Sequence, residues 1–212
     1  VCARQLLKAP YTERYVRCCE RTGANHSLLL AYNHISLIGR CPNRDSILMF
    51  IGGSEMWTNF FKEDDFQRGM DETVAPWLKE NLVEGTFEGE KGISIHYSMI
   101  HHPEEKAAVV IFHGYCEFFG KYHEMAYYLY QNGYSVYCIE QRGHGRSGRE
   151  NHNPSAIHVV DFQDYVRDQK TFIDNVVKKN SGDVPLYLLA HSMGGLVGTR
   201  FLEDYPEVFD KA

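Results

Sequence analysis

The sequence has no apolar run long enough to cross a bilayer. The longest near its start, SLLLAYNHISLIG, is broken by Asn33 and His34 and falls short of the ~20 residues a spanning helix needs. A basic leader with a small-residue cleavage site is lacking too, so the chain reads as cytoplasmic, with peripheral membrane contact left open. It also lacks an excess of basic charge. Twenty-two Lys and Arg against 28 Asp and Glu give a net charge of -6, which removes the basic face that nucleic-acid binding requires. The six cysteines, Cys2, Cys18, Cys19, Cys41, Cys116 and Cys138, have neither metal-finger spacing nor the pattern of a disulfide framework, and reduced thiols are expected. None of the 11 histidines belongs to a ligand pair such as H-E-x-x-H, so no metal is expected. Internal repeats and low-complexity tracts are absent.

What remains is a globular composition. With 212 residues, 43% hydrophobic and 13% aromatic, the chain can bury one sizeable core. The charge is uneven, however. Residues 1–50 hold seven basic and three acidic side chains, so the remaining 15 basic and 25 acidic residues fall in 51–212. The early segment shows no sustained periodicity, and residues 1–55 are left unassigned. Two readings stay open for them: a poorly structured extension, or translation of DNA upstream of an initiator Met56. In the second reading the glycine codons of GGSEM would spell a ribosome-binding sequence.

From Trp57 the pattern is regular. Trp57, Phe60, Phe61, Phe66, Met70 and Val74 suggest one or two short amphipathic helices ending before Pro76. VEGTFEGEKGISIHYSMI alternates around Gly89–Gly92 and predicts a hairpin. AAVVIF suits a strand buried on both faces. Tyr122, Met125, Ala126 and Leu129 share a helical face that ends at Asn132-Gly133. YSVYCIE and PLYLLA predict two more strands. An amphipathic helix from Asp161, through Tyr165, Val166, Phe172, Ile173, Val176 and Val177, lies between them, and GGLVGTRFLEDY predicts a last helix. Strands alternating with helices imply an α/β sheet with parallel pairing.

GHGRSG, Gly143–Gly148, matches the dinucleotide fingerprint by letter only. The residues after it, RENHNPSA, disfavour the helix whose N-terminus would receive a pyrophosphate, so a tight loop is expected and no cofactor. AHSMG is different. It is the pattern G-x-S-x-G with alanine first, where a serine between strand and helix projects its hydroxyl while the helix N-terminus favours developing negative charge. An oxyanion hole needs a second N–H from the loop after an earlier strand. AAVVIFHGYCE supplies that strand and a His113-Gly114 turn, leaving the Tyr115 N–H to join that of Met193.

Together HGYCEFFGKY, EQRGHGRSGRE, DFQDYVRDQKTF and LLAHSMGG resemble the α/β-hydrolase family of monoacylglycerol lipases and bacterial lysophospholipases, classed with serine aminopeptidase-like hydrolases. The resemblance runs from about Phe87 to Ala212. It implies an α/β-hydrolase fold: a mostly parallel sheet with an N-terminal hairpin, formed by residues 56–212. It further implies Ser192 as nucleophile, Tyr115 and Met193 as backbone donors to the oxyanion, and His113, Gly114 and Gly194 as residues that shape the site. Arg142–Ser147 would form a structural loop beside it, with Glu140 where the family more often has aspartate.

The family's acid and histidine follow the serine in chain order, but no histidine follows Ser192. Glu203, Asp204, Glu207 and Asp210 do, and they read as surface charge. His191 adjoins the serine, yet neighbouring side chains diverge at such a turn, so it is not nominated as the base. The expectation is a hydrolase truncated before its cap and later strands, nearly inactive as it stands because the serine proton has no acceptor. The expected whole enzyme hydrolyses carboxylic esters of monoacyl lipids through an acyl-serine, with a small lipid ester as its partner. Two alternatives stay open: an aminopeptidase-like chemistry, and a non-catalytic binding module that kept the turn.

Overall fold

A computed structural model describes residues 60–153 and 156–212. The expectations for residues 1–55, and for Trp57 as a helix residue, lie outside them. Five strands form one sheet: β1 (Leu82–Glu88), β2 (Ser94–Ile100), β3 (Ala107–Phe112), β4 (Tyr134–Ile139) and β5 (Leu186–Ala190). Their spatial order is β1-β2-β4-β3-β5. β1 and β2 pair antiparallel from Leu82↔Ile100 to Glu88↔Ser94. The hairpin turn carries Lys91 at φ 57 and Gly92 at φ 72. β2 joins β4 antiparallel, whereas β4, β3 and β5 run parallel. This is the mostly parallel sheet with an N-terminal hairpin that the pattern of residues implies.

Every residue of β3 and of β4 is buried, because helices cover both faces. Side chains alternate along a strand, so Val109 and Ile111 enter one core with Leu78, Met125, Leu129 and Val136. Ala108, Val110 and Phe112 enter the other with Val166, Phe172, Val197 and Phe201. The first face is covered by α1 (Ala75–Asn81) and α2 (His123–Gln131), the second by α3 (Gln163–Phe172) and α4 (Met193–Asp204). α2 stops as expected, with Asn132 at its end and Gly133 at φ 84, the left-handed position glycine fills at low cost. Among the described residues no helix is long and apolar enough to cross a membrane.

Two expectations need correction. The helical path does not end before Pro76. Helical turns at Phe66–Gly69 and a π-helical turn at Met70–Val74 lead directly into α1, whose first turn contains Pro76. A proline lacks the N–H that a first turn leaves unpaired in any case. Phe60 and Phe61 precede these turns and pack onto the aromatic rings of Tyr127 and Tyr128 instead. The second concerns Asp210, read as surface charge, because the chain around it covers part of the outer edge of β5. Lys211 bridges Tyr187 in parallel, Leu188 N–H donates to the Lys211 carbonyl at 2.8 Å, and the Asp210 carboxylate accepts the Leu186 N–H at 2.8 Å. Asp210 is therefore a strand anchor, while Glu203 and Asp204 pair with Arg200 on the helix surface, as their reading as surface charge expects.

One buried ionic network fixes the loop after β4. Arg142 is wholly buried and grips Asp168 of α3 through two hydrogen bonds of 2.7 and 3.0 Å. The same guanidinium reaches Glu150 and the Glu90 carbonyl of the hairpin turn. The network thus ties hairpin, loop and helix together. Gly143 N–H donates to the Gly148 carbonyl at 2.9 Å and no helix follows, so GHGRSG is a closed loop. Removing one member of a buried pair strands the other charge. We predict that Asp168→Ala lowers unfolding stability by about 3–5 kcal/mol, measured by urea denaturation.

Candidate active site

The last rungs of the parallel ladder bring two loops together. β3 and β5 pair through Phe112↔Ala190, and His191 N–H donates to the Phe112 carbonyl at 3.0 Å. Beyond that bond each strand leaves the sheet at its carboxyl end, where open α/β sheets place their sites. β5 turns into Ser192, which is exposed and holds φ 52 and ψ -117. A non-glycine residue at positive φ is strained, and this one is held by packing on both sides. A Cβ added to Gly194 would lie 1.9 Å from the Phe112 carbonyl oxygen, so only glycine lets α4 start so close to β3. Alanine at position 190 fits for a related reason. Its methyl faces Gly198, where even an added Cβ would lie 3.4 Å away, an ordinary contact distance.

Gly195 does not share this role, because a Cβ there would meet nothing within 4 Å. The double glycine therefore splits into one residue that must be glycine and one that need not. As the first residue of α4, Met193 presents an N–H with no carbonyl one turn back to accept it. Across the gap lies the β3 loop, with His113 and Gly114 buried and Tyr115 exposed. Glu117 N–H donates to the Gly114 carbonyl at 3.3 Å, closing a turn that holds Cys116 at φ 58.

His113 is locked in one tautomer. Its Nε2 accepts the Gln141 N–H at 2.8 Å, so Nδ1 carries the proton and donates to the Gly114 carbonyl at 2.8 Å. Burial, with His144 nearby, pushes its pKa down to about 3. It is a neutral strut for the loop rather than a proton carrier. His144 packs edge-on against both His113 and Tyr115, and burial lowers its pKa as well. Glu140, longer than an aspartate, folds its carboxylate under the loop to accept the Arg146 N–H. A Cβ on Gly145 would strike that carboxylate at 2.0 Å. The added methylene thus fits only because position 145 is glycine.

Sequence reasoning did not single out Glu117. One of its carboxylate oxygens accepts the Gly114 N–H at 2.7 Å, the Tyr122 O–H at 2.6 Å and His191 Nδ1–H at 3.2 Å. Burial works against this carboxylate's charge, but the hydrogen bonds from His191, Tyr122 and Gly114 outweigh it and hold the pKa down to about 2. The same contact raises the pKa of His191. HGYCE contained the signal, an acid three residues beyond a strand-end glycine, but not which donors it would collect. No side chain among the described residues is hydrogen-bonded to Ser192 Oγ. Among the same residues, no group of three or more His, Cys, Asp or Glu is placed to hold a metal.

The serine aminopeptidase S33 family of hydrolases matches residues 103–212. The chain belongs to this family. Proteins similar to it include lysophospholipase L2 of Escherichia coli strain K12, 39% identical over 127 residues, 60% of this chain and 37% of that protein. Monoacylglycerol lipase of Mycolicibacterium smegmatis is 32% identical over 58% of this chain and 42% of its own length. Monoglyceride lipase of Mus musculus is 36% identical over 49% of this chain and 32% of its own. The chain thus spans well under half the length of these relatives. A thermostable carboxyl esterase of Bacillus coagulans superposes with a TM-score of 0.55 at 18% identity, over 61% of this chain and 42% of its own, a likeness of fold. The S33 family and this neighbour agree on the α/β-hydrolase fold, and the relatives are ester hydrolases by name.

Two outcomes follow from the site's packing. Gly194→Ala should unfold the turn, while Gly195→Ala should stabilise the protein by about 0.5–1 kcal/mol, as read by thermal melting. For His113, the unfolded state binds a proton near pH 6.5 and the folded state only near pH 3, so stability must fall as pH drops below 6.5. We expect a loss of about 2 kcal/mol by pH 5 from this residue, measured from urea midpoints across pH.

Proposed function

We propose that residues 56–212 are the N-terminal portion of a serine hydrolase domain that cleaves carboxylic esters of monoacyl lipids, a lysophospholipase or monoacylglycerol lipase. Ser192 is its nucleophile, and the N–H groups of Tyr115 and Met193 receive the oxyanion. The observation that carries this is the backbone of Ser192, forced to φ 52 at the head of α4 and joined to the end of β3 by the His191–Phe112 bond. In such a turn the hydroxyl faces the substrate side while the helix N-terminus faces the developing charge. Attack on the ester carbonyl forms an acyl-serine and releases the alcohol, and water then cleaves the acyl-serine. Lipid specificity is taken from the relatives' names. A monoacyl-lipid substrate would bring the enzyme to membrane surfaces from the cytoplasm.

The general base and its acid are the parts this proposal assigns to residues outside the 212. That Ser192 Oγ has no side-chain partner among the described residues motivates the assignment, since an unassisted hydroxyl is a poor nucleophile at neutral pH. The same observation favours the second reading, a binding module that kept the turn without the chemistry. A fluorophosphonate probe separates them. The expected outcome is labelling of the full-length protein at Ser192, lost in Ser192→Ala, with these 212 residues alone labelled at least about 100-fold more slowly. Brisk labelling of the 212-residue chain would contradict the assignment of the base, and no labelling of the full-length protein would favour the binding module.

A further inference from the structure

The Glu117 carboxylate stands where two halves of the site meet. Gly114 precedes Tyr115 and His191 precedes Ser192, and both donate to the same oxygen, Oε2. Tyr122 supplies a third donor from the helical turn below. An ionised carboxylate only accepts, so the His191 proton on the bond lies on Nδ1. Gly114 carries the mark of the same link. A Cβ there would lie 2.9 Å from both Glu117 Oε2 and His191 Nδ1, so a side chain at position 114 would sit in the path between them.

We propose that Glu117 is a positioning residue whose carboxylate ties the oxyanion loop to the nucleophile turn, through Gly114 on one side and His191 on the other. The proposal rests on the assignment of Ser192, Tyr115 and Met193 above. Two N–H groups on separate loops must converge on one oxygen, and a displacement of about 1 Å costs roughly 100-fold in rate. The backbone bond between His191 and Phe112 fixes the roots of the two loops, and Glu117 fixes their tips. The pair has the composition of an acid–histidine dyad, but the His191 ring is turned to Glu117 and makes no bond to Ser192 Oγ. His191 acts by holding the turn, not by taking the serine proton.

Among the described residues, Lys121 Nζ lies 3.8 Å from the other Glu117 oxygen, Tyr122 donates from below, and the buried Cys138 and the neutral His113 and His144 lie nearby. The shifts of the two partners agree in direction, Glu117 downward and His191 upward.

The test is kinetic, on the full-length protein with a monoacylglycerol substrate. Ser192→Ala is measured first: retained hydrolysis there would sink the assignment of the nucleophile, independently of Glu117. With that control abolished, Glu117→Ala should lower kcat about 100-fold with KM changed less than about threefold. Glu117→Gln should return kcat to within about tenfold of the parent, because an amide oxygen can accept the same donors. His191→Ala should lower kcat without reaching the Ser192→Ala level, and the double variant should be no slower than Glu117→Ala. Parental kcat in Glu117→Ala, a loss carried by KM, or multiplying effects in the double variant would overturn the proposal, as would His191→Ala matching Ser192→Ala. Should Glu117→Ala not fold, the His191 ring titration read by NMR in the 212-residue chain decides. Its midpoint should lie above about 6.5 and fall back in Glu117→Gln, and an unchanged midpoint would refute the link.

Discussion

The site depends on how closely α4 approaches β3. The Phe112 carbonyl accepts the final ladder bond from His191, and the same oxygen would lie 1.9 Å from any Cβ at position 194. One backbone atom thus fixes where β5 ends and where α4 begins. Only two residues, His191 and Ser192, separate the strand from the helix. A strand and a helix joined over that distance cannot both keep relaxed dihedrals, and Ser192 takes up the difference at φ 52. The strain costs of order 1–3 kcal/mol. It is sustained by two cores that bury Phe112, Val197 and Phe201 on one side of the sheet and Ile111 and Leu189 on the other.

Around this contact the fold uses buried polar groups as struts. His113 joins the β3 loop to the chain after β4 through Gln141, and Arg142, the next residue, joins that chain to α3 and the hairpin turn. The loops around Ser192 leave the sheet at the carboxyl end of its parallel strands, and these struts tie them together there. Such groups are costly to leave unpaired in a low-dielectric interior. The site's geometry is consequently coupled to global stability, and acid, which protonates unfolded histidines first, acts on both at once.

Periodicity carried the architecture well. A wholly apolar AAVVIF suited a strand covered on both faces, and Asn132-Gly133 marked a helix end that the backbone adopts. AHSMG showed the turn because its letters encode a steric need at Gly194. Hidden features were those in which a side chain reaches across the fold. Glu117 lies 74 residues from His191 and Arg142 lies 26 from Asp168, separations over which no local pattern extends. Gly195 stands beside Gly194 without sharing its constraint, a difference that the letters alone do not show. Pro76 marked a helix end that is not there, since the π-helical turn before it carries the helical path into α1.

In the proposed site, the Tyr115 and Met193 N–H groups converge on one oxyanion above Ser192. A crystal structure of the full-length protein with a phosphonate bound covalently to Ser192 tests it directly. The account predicts a phosphonyl oxygen 2.7–3.1 Å from both nitrogens. An oxygen held by other donors, or by only one of these two, would contradict it.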